Sequence, residues 1–112
     1  MRFFLILSLL VITACTYNEL SVCETENPSF TDCIEPIFTN NCMGCHNAVQ
    51  YFGSLSLENY TEISEAVLNG VVIDRISRDE TDILFMPKSS SKLLEEEIQI
   101  IINWKENGTP NN

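Results

Sequence analysis

Cys42-Met43-Gly44-Cys45-His46 puts two thiols and an imidazole within five residues. Cys-x-x-Cys-His is the spacing by which c-type haem is attached to a chain. The two thiols add to two vinyl groups on one edge of a porphyrin. On a helical turn, the histidine directly after the second cysteine projects its ring nitrogen toward the iron. His46 is the only histidine in 112 residues, and it stands in that slot. With five cysteines and one histidine, chance supplies about 0.002 such pentapeptides in this chain. Two other chemistries use the same residue types. A redox Cys-x-x-Cys of the thioredoxin kind needs alternating strands and helices, and the hydrophobic pattern shows none. A four-ligand zinc site would need Cys23 and Cys33 as its other ligands, and they do not form a second tight pair.

A haem that only transfers electrons has both axial positions filled. Downstream of His46 there is one methionine, Met86, followed by Pro87. Met43 sits between the two cysteine anchors and cannot reach the far face of the ring. Met86 lies 40 residues beyond His46, enough chain to pass round the edge. Pro87 stiffens that loop and restricts Met86 to extended backbone. A thioether is a soft ligand that favours Fe(II) and raises the reduction potential relative to two histidines.

These elements, with a closing stretch Glu97-Ile98-x-x-Ile101-x-x-Trp104 that ends at Gly108, resemble the small monohaem, class I c-type cytochromes over roughly Phe30 to Thr109. The resemblance implies an all-α fold of three to four helices wrapped around one covalent haem c. It implies Cys42 and Cys45 as thioether attachments, His46 as proximal iron ligand and Met86 as distal ligand. It also implies one-electron transfer rather than catalysis. Were Met86 not bound, the open iron would suit gas binding or peroxidase-like chemistry. An accessory haem subunit of a larger periplasmic oxidoreductase is the other alternative.

The elements that must position these groups are legible as helices. Phe30, Ile34, Ile37 and Phe38 recur at helical spacing over Phe30 to Asn41, with Pro36 tolerated in the first turns of a helix beginning near Asp32 or Cys33. Tyr60 to Asn69 carries Ile63, Ala66 and Val67 on one face and stops at Gly70. A short helix is expected from about Ile73. The closing helix is expected from Ser91 or Lys92 to Asn107, with Ser91 as its cap because Leu94 stands where related helices carry Ser or Thr. Its apolar stripe is Leu94, Ile98, Ile101 and Lys105, with Ile102 and Trp104 beside it. Phe30, Ile34 and Phe38 are expected to meet Ile98, Ile101 and Ile102. Tyr60 and Trp104 read as core fillers in preference to donors to a haem propionate.

The chain's start reads as an address. Arg2 precedes an apolar run, Phe3 to Ile12, too short to cross a bilayer. Ile12-Thr13-Ala14-Cys15 resembles the lipobox of bacterial lipoproteins, which implies a signal peptide over 1–14 and a lipid anchor on Cys15. Residues 15–29 are polar and read as a lipidated tether, leaving 30–112 as the haem domain. Thr16 in place of Asp leans the location to the periplasmic side of the outer membrane. With Cys15, Cys42 and Cys45 assigned, Cys23 and Cys33 remain, and in an oxidising compartment they are expected to pair. The net charge of −10 excludes a nucleic-acid partner, which demands a positive face, and suits redox partners with a basic docking patch.

Overall fold

The computed structural model describes residues 23–88 and 90–112. The signal peptide at 1–14, the lipidation site Cys15 and the tether as far as residue 22 lie outside the described residues. The described residues form an all-α arrangement: a π-type opening turn, Phe30–Ile34, runs directly into α1, Glu35–Asn41. A 3-10 turn, Phe52–Ser54, follows the Cys-x-x-Cys-His motif, and then come α2, Tyr60–Leu68, α3, Val71–Ser77, and α4, Glu95–Glu106. Among these residues there is no strand, only an isolated bridge between His46 and Tyr51. None of the helices is long and apolar enough to cross a membrane.

The first helix starts earlier than Pro36 alone predicts. The Ser29 hydroxyl accepts the Asp32 N–H at 3.1 Å and caps Phe30. The opening turn is wound wide, with the Ile34 N–H donating to the Ser29 carbonyl five residues back. Regular α winding begins only at Glu35, so Pro36 is its second residue. Proline has no N–H to give and its ring crowds the preceding turn, and the wider winding makes room for it.

At the other end, α4 begins at Glu95, not at Ser91. Leu94 is extended and has no side-chain acceptor; instead the Glu97 carboxylate accepts the Leu94 N–H at 3.0 Å. Glu95, Glu96 and Glu97 also put negative charge at the positive end of the helix. With Leu94 outside the helix and 68 % exposed, Leu93 takes the buried place. The buried face of α4 is therefore turned toward Ile98, Ile100, Ile101 and Trp104, and Ile102 only flanks it. α4 packs on the opening turn, on α2 and on α3. The contact with the first helix runs through the opening turn that carries Phe30 and Ile34. α3 begins at Val71, two residues before the expected Ile73, because Gly70 takes φ 81° and turns the chain sharply after α2.

An aromatic trio ties three elements together. Phe30 meets Tyr60 edge-to-face with centroids 5.3 Å apart, and Trp104 lies 6.0 Å from Phe30 and 6.2 Å from Tyr60. The polar ends of both larger rings are taken by the C-terminal strap. The Tyr60 hydroxyl donates to the Thr109 carbonyl at 2.7 Å, and the Trp104 indole N–H donates to the Pro110 carbonyl at 3.0 Å. Gly108, at φ 88°, makes the strap possible: its N–H bonds the Lys105 carbonyl while the Thr109 N–H reaches the Trp104 carbonyl. This is the Schellman termination that left-handed glycine permits.

Residues 23–29, the end of the expected tether, lie docked on the domain, held there by the expected disulfide. Cys23 is joined to Cys33 by a disulfide, and Pro28 is buried. The side chains of Asn103 and Asn107 donate to the carbonyls of Thr25 and Glu26. The disulfide closes a loop with a sequence separation of 10 residues. Replacing Cys23 and Cys33 by serine is expected to cost about 2–3 kcal/mol, from the loop-closure entropy of the unfolded chain. Denaturant unfolding of the two proteins checks it, and equal midpoints would mean that the asparagine contacts alone hold the segment.

Candidate functional site

Below α1 the chain turns back on itself at the motif. The N–H groups of Cys42 and Met43 both reach the Phe38 carbonyl at 2.9 Å, and those of Cys45 and His46 both reach the Cys42 carbonyl, at 3.2 and 3.0 Å. The motif is thus a tight turn continuing the last turn of α1. Asn47 then locks the following loop. Its side-chain oxygen accepts the Val49 and Gln50 N–H groups, and its amide donates to the Met43 carbonyl at 2.7 Å. Farther on, Glu62 in the first turn of α2 reaches back to the Glu58 N–H and the Ser56 hydroxyl. These donors, led by the Glu58 N–H, hold its carboxyl below the usual range. The loop so fixed presents Leu55 and Leu57 to the interior.

Cys42, Cys45, His46 and Met86 line one cavity of about 390 Å³. Its other walls include Phe52, Gly53, Ile76, Pro87 and Leu93. An adjoining cavity of about 200 Å³ shares Cys42, His46, Gly53, Ile76 and Met86 and adds Leu55, Leu57 and Val72. Met86, expected opposite His46, is therefore at both, and Met43 lines neither. The walls are apolar. Although the chain carries sixteen carboxylates, no Asp or Glu among the described residues lines either cavity, whereas Lys88 lines the first and Arg75 the second.

The imidazole of His46 is oriented by backbone. Its Nδ1 lies 3.0 Å from the Phe52 carbonyl oxygen. A carbonyl can only accept, so Nδ1 carries the proton and Nε2 keeps its lone pair free to bind a metal. Metal-binding histidines are held in this way by a partner on the other nitrogen. No residue type marks this acceptor in advance, because it is a main-chain oxygen; the one signal is the Phe52-Gly53 pair, whose glycine takes φ 65° in the turn.

The two cysteines differ in surroundings. Cys45 is exposed and Cys42 is half-buried. Burial, with Glu97 nearby, pushes the Cys42 thiol up to about 12. A reactive redox cysteine has a lowered value, and burial moves Cys42 the other way. The zinc alternative loses its remaining ligands, since Cys23 and Cys33 are bonded to each other. Among the described residues, no three His, Cys, Asp or Glu side chains gather as a metal site. Tyr60 and Trp104 both spend their donors on the C-terminal strap and line neither cavity.

The residues present fit a haem c. Two thiols stand at the edge of an apolar cavity, a singly committed imidazole and a thioether line it, and the charged side chains among the lining, Lys88 and Arg75, are cationic, which suits an apolar ring bearing carboxylates. No family model, curated protein or solved structure matches the chain.

Proposed function

We propose that this chain is a c-type cytochrome domain that holds one covalent haem and passes single electrons. The observation that carries the reading is the convergence of Cys42, Cys45, His46 and Met86, from two stretches about forty residues apart in sequence, on one apolar cavity. When bound, haem supplies a one-electron Fe(III)/Fe(II) couple. The chain supplies the rest. Cys42 and Cys45 hold the group by thioether bonds, His46 offers Nε2 with its plane set by Phe52, and Met86 offers sulfur. Ile76, Leu93, Leu55 and Leu57 exclude water and favour the less charged reduced state. Export on a lipobox-type signal and anchoring through Cys15 belong to the same reading, since c-type haem is attached outside the bacterial inner membrane. The acidic surface favours partners with a basic docking patch.

The test is the mass and the reduced-minus-oxidised spectrum of the chain exported by cells that mature c-type cytochromes. One haem per chain is expected; a colourless chain without added mass refutes the proposal. Met86→Ala in the loaded protein is expected to open the iron to carbon monoxide. It should also lower the reduction potential by on the order of 100 mV, as about two decades of ferrous preference are lost at about 59 mV each. An unchanged potential and no new carbon monoxide binding would remove Met86 from the ligand set.

A further inference from the structure

Met86 is carried by a short loop with no helix or strand of its own, so something must fix where its sulfur stands. The loop leaves α3 at Ser77 and doubles back until the Met86 N–H donates to the Arg75 carbonyl, 3.1 Å away. Asp82 lies at the centre of this turn. One of its carboxylate oxygens accepts the Leu84 N–H at 2.7 Å, and the other accepts from the Arg78 guanidinium at 2.9 Å. Its carbonyl accepts the N–H of Phe85, a buried residue, at 3.0 Å, and its own N–H donates to the Asp79 carbonyl. Arg78 in turn reaches back to Asp74 on α3 at 3.1 Å. The side chain of Asp82 thus couples the loop to α3 through Arg78 and shapes the turn that delivers Phe85 and Met86. A second fastening is the 3.4 Å bond from the Arg75 guanidinium to the Leu84 carbonyl.

We propose that Asp82 is a positioning residue for Met86: by accepting from the Leu84 N–H and from Arg78 at once, it holds the loop in the one arrangement that keeps the thioether at the cavity. The inference rests on the reading of Met86 as an iron ligand. Asp82 and Arg78 are each about one-third exposed, so the ion pair alone contributes little. The acceptor for Leu84 N–H contributes the rest, which makes the effect separable by substitution. Asp82→Asn keeps an oxygen for Leu84 and loses the charge; Asp82→Ala loses both.

The experiment uses the haem-loaded protein with Asp82→Asn, Asp82→Ala and, as reference, Met86→Ala. Three quantities are read where all are folded: carbon monoxide affinity of the ferrous form, the methionine-to-iron charge-transfer absorption, and amide hydrogen exchange at Leu84 and Met86. Asp82→Ala is expected to raise carbon monoxide affinity about tenfold, weaken the absorption and speed exchange at both amides, with Asp82→Asn between it and the parent. The proposal is overturned if Asp82→Ala leaves all three unchanged while Met86→Ala shifts the first two. If Met86→Ala shifts neither, the ligand reading fails as well, and Asp82 has nothing to position.

Discussion

Serine at both Cys42 and Cys45 is expected to give a correctly exported chain that carries no covalent haem, against one per chain in the parent. The rest of the cavity lining would be unchanged and the fold kept, because serine is close in size to cysteine, Cys45 is exposed, and Cys42 only flanks the core. His46 and Met86 would still line the space, so any haem that enters would be held by axial bonds alone and removable by an acidic organic solvent, whereas thioether-bound haem stays with the polypeptide. The single variants are expected to retain a haem on one bond, with poorer yield. Mass spectrometry after solvent extraction reads the difference. Covalent haem persisting in the double variant would mean that the pentapeptide is not the attachment site. The thermal stability should fall too. A group that binds only the folded chain stabilises it by mass action, and a domain of this size has little core to spare.

The residues that line the cavity were more legible than the packing, and the reason lies in what a sequence can encode. Cysteine, histidine and methionine are rare letters with few roles, so Cys42, Cys45, His46 and Met86 could be picked out before any fold was known, and they line one cavity. The helices at Phe30 and Tyr60 were legible because their apolar residues recur at intervals of three and four. The closing helix was harder to orient. Isoleucine stands at 98, 100, 101 and 102, and that run leaves the buried face undecided by periodicity. Leu93 and Leu94 are adjacent leucines, and only the extended backbone before Glu95 decides that Leu93 enters the core. The carbonyl of Phe52 behind His46 and the turn organised by Asp82 were not legible at all. Both work through backbone hydrogen bonds, and every residue has that backbone.

Trp104→Ala is expected to be the most destabilising single substitution in the core. The side chain is fully buried, packs against Phe30 and Tyr60, and its N–H satisfies the Pro110 carbonyl. Removing an aromatic ring from such a place costs about 3–5 kcal/mol, from lost apolar burial and from the cavity left behind. The Pro110 carbonyl loses its donor besides, and the C-terminal strap keeps its side-chain tie to Tyr60 but loses the one to the indole. Against a total of about 5–15 kcal/mol for a native domain, that is a large fraction. For a domain of this length each 1 kcal/mol is about 4–8 °C in Tm, so a drop of more than about 12 °C is expected by calorimetry. Trp104→Phe separates the two contributions, because it keeps most of the ring and loses the hydrogen bond, at about 1–2 kcal/mol. It also decides what the indole faces. With its N–H on Pro110, the haem spectrum and reduction potential of the loaded Trp104→Phe protein should match those of the parent. A shifted potential at unchanged fold would instead place the indole N–H against the cofactor and break the separation between the aromatic core and the cavity.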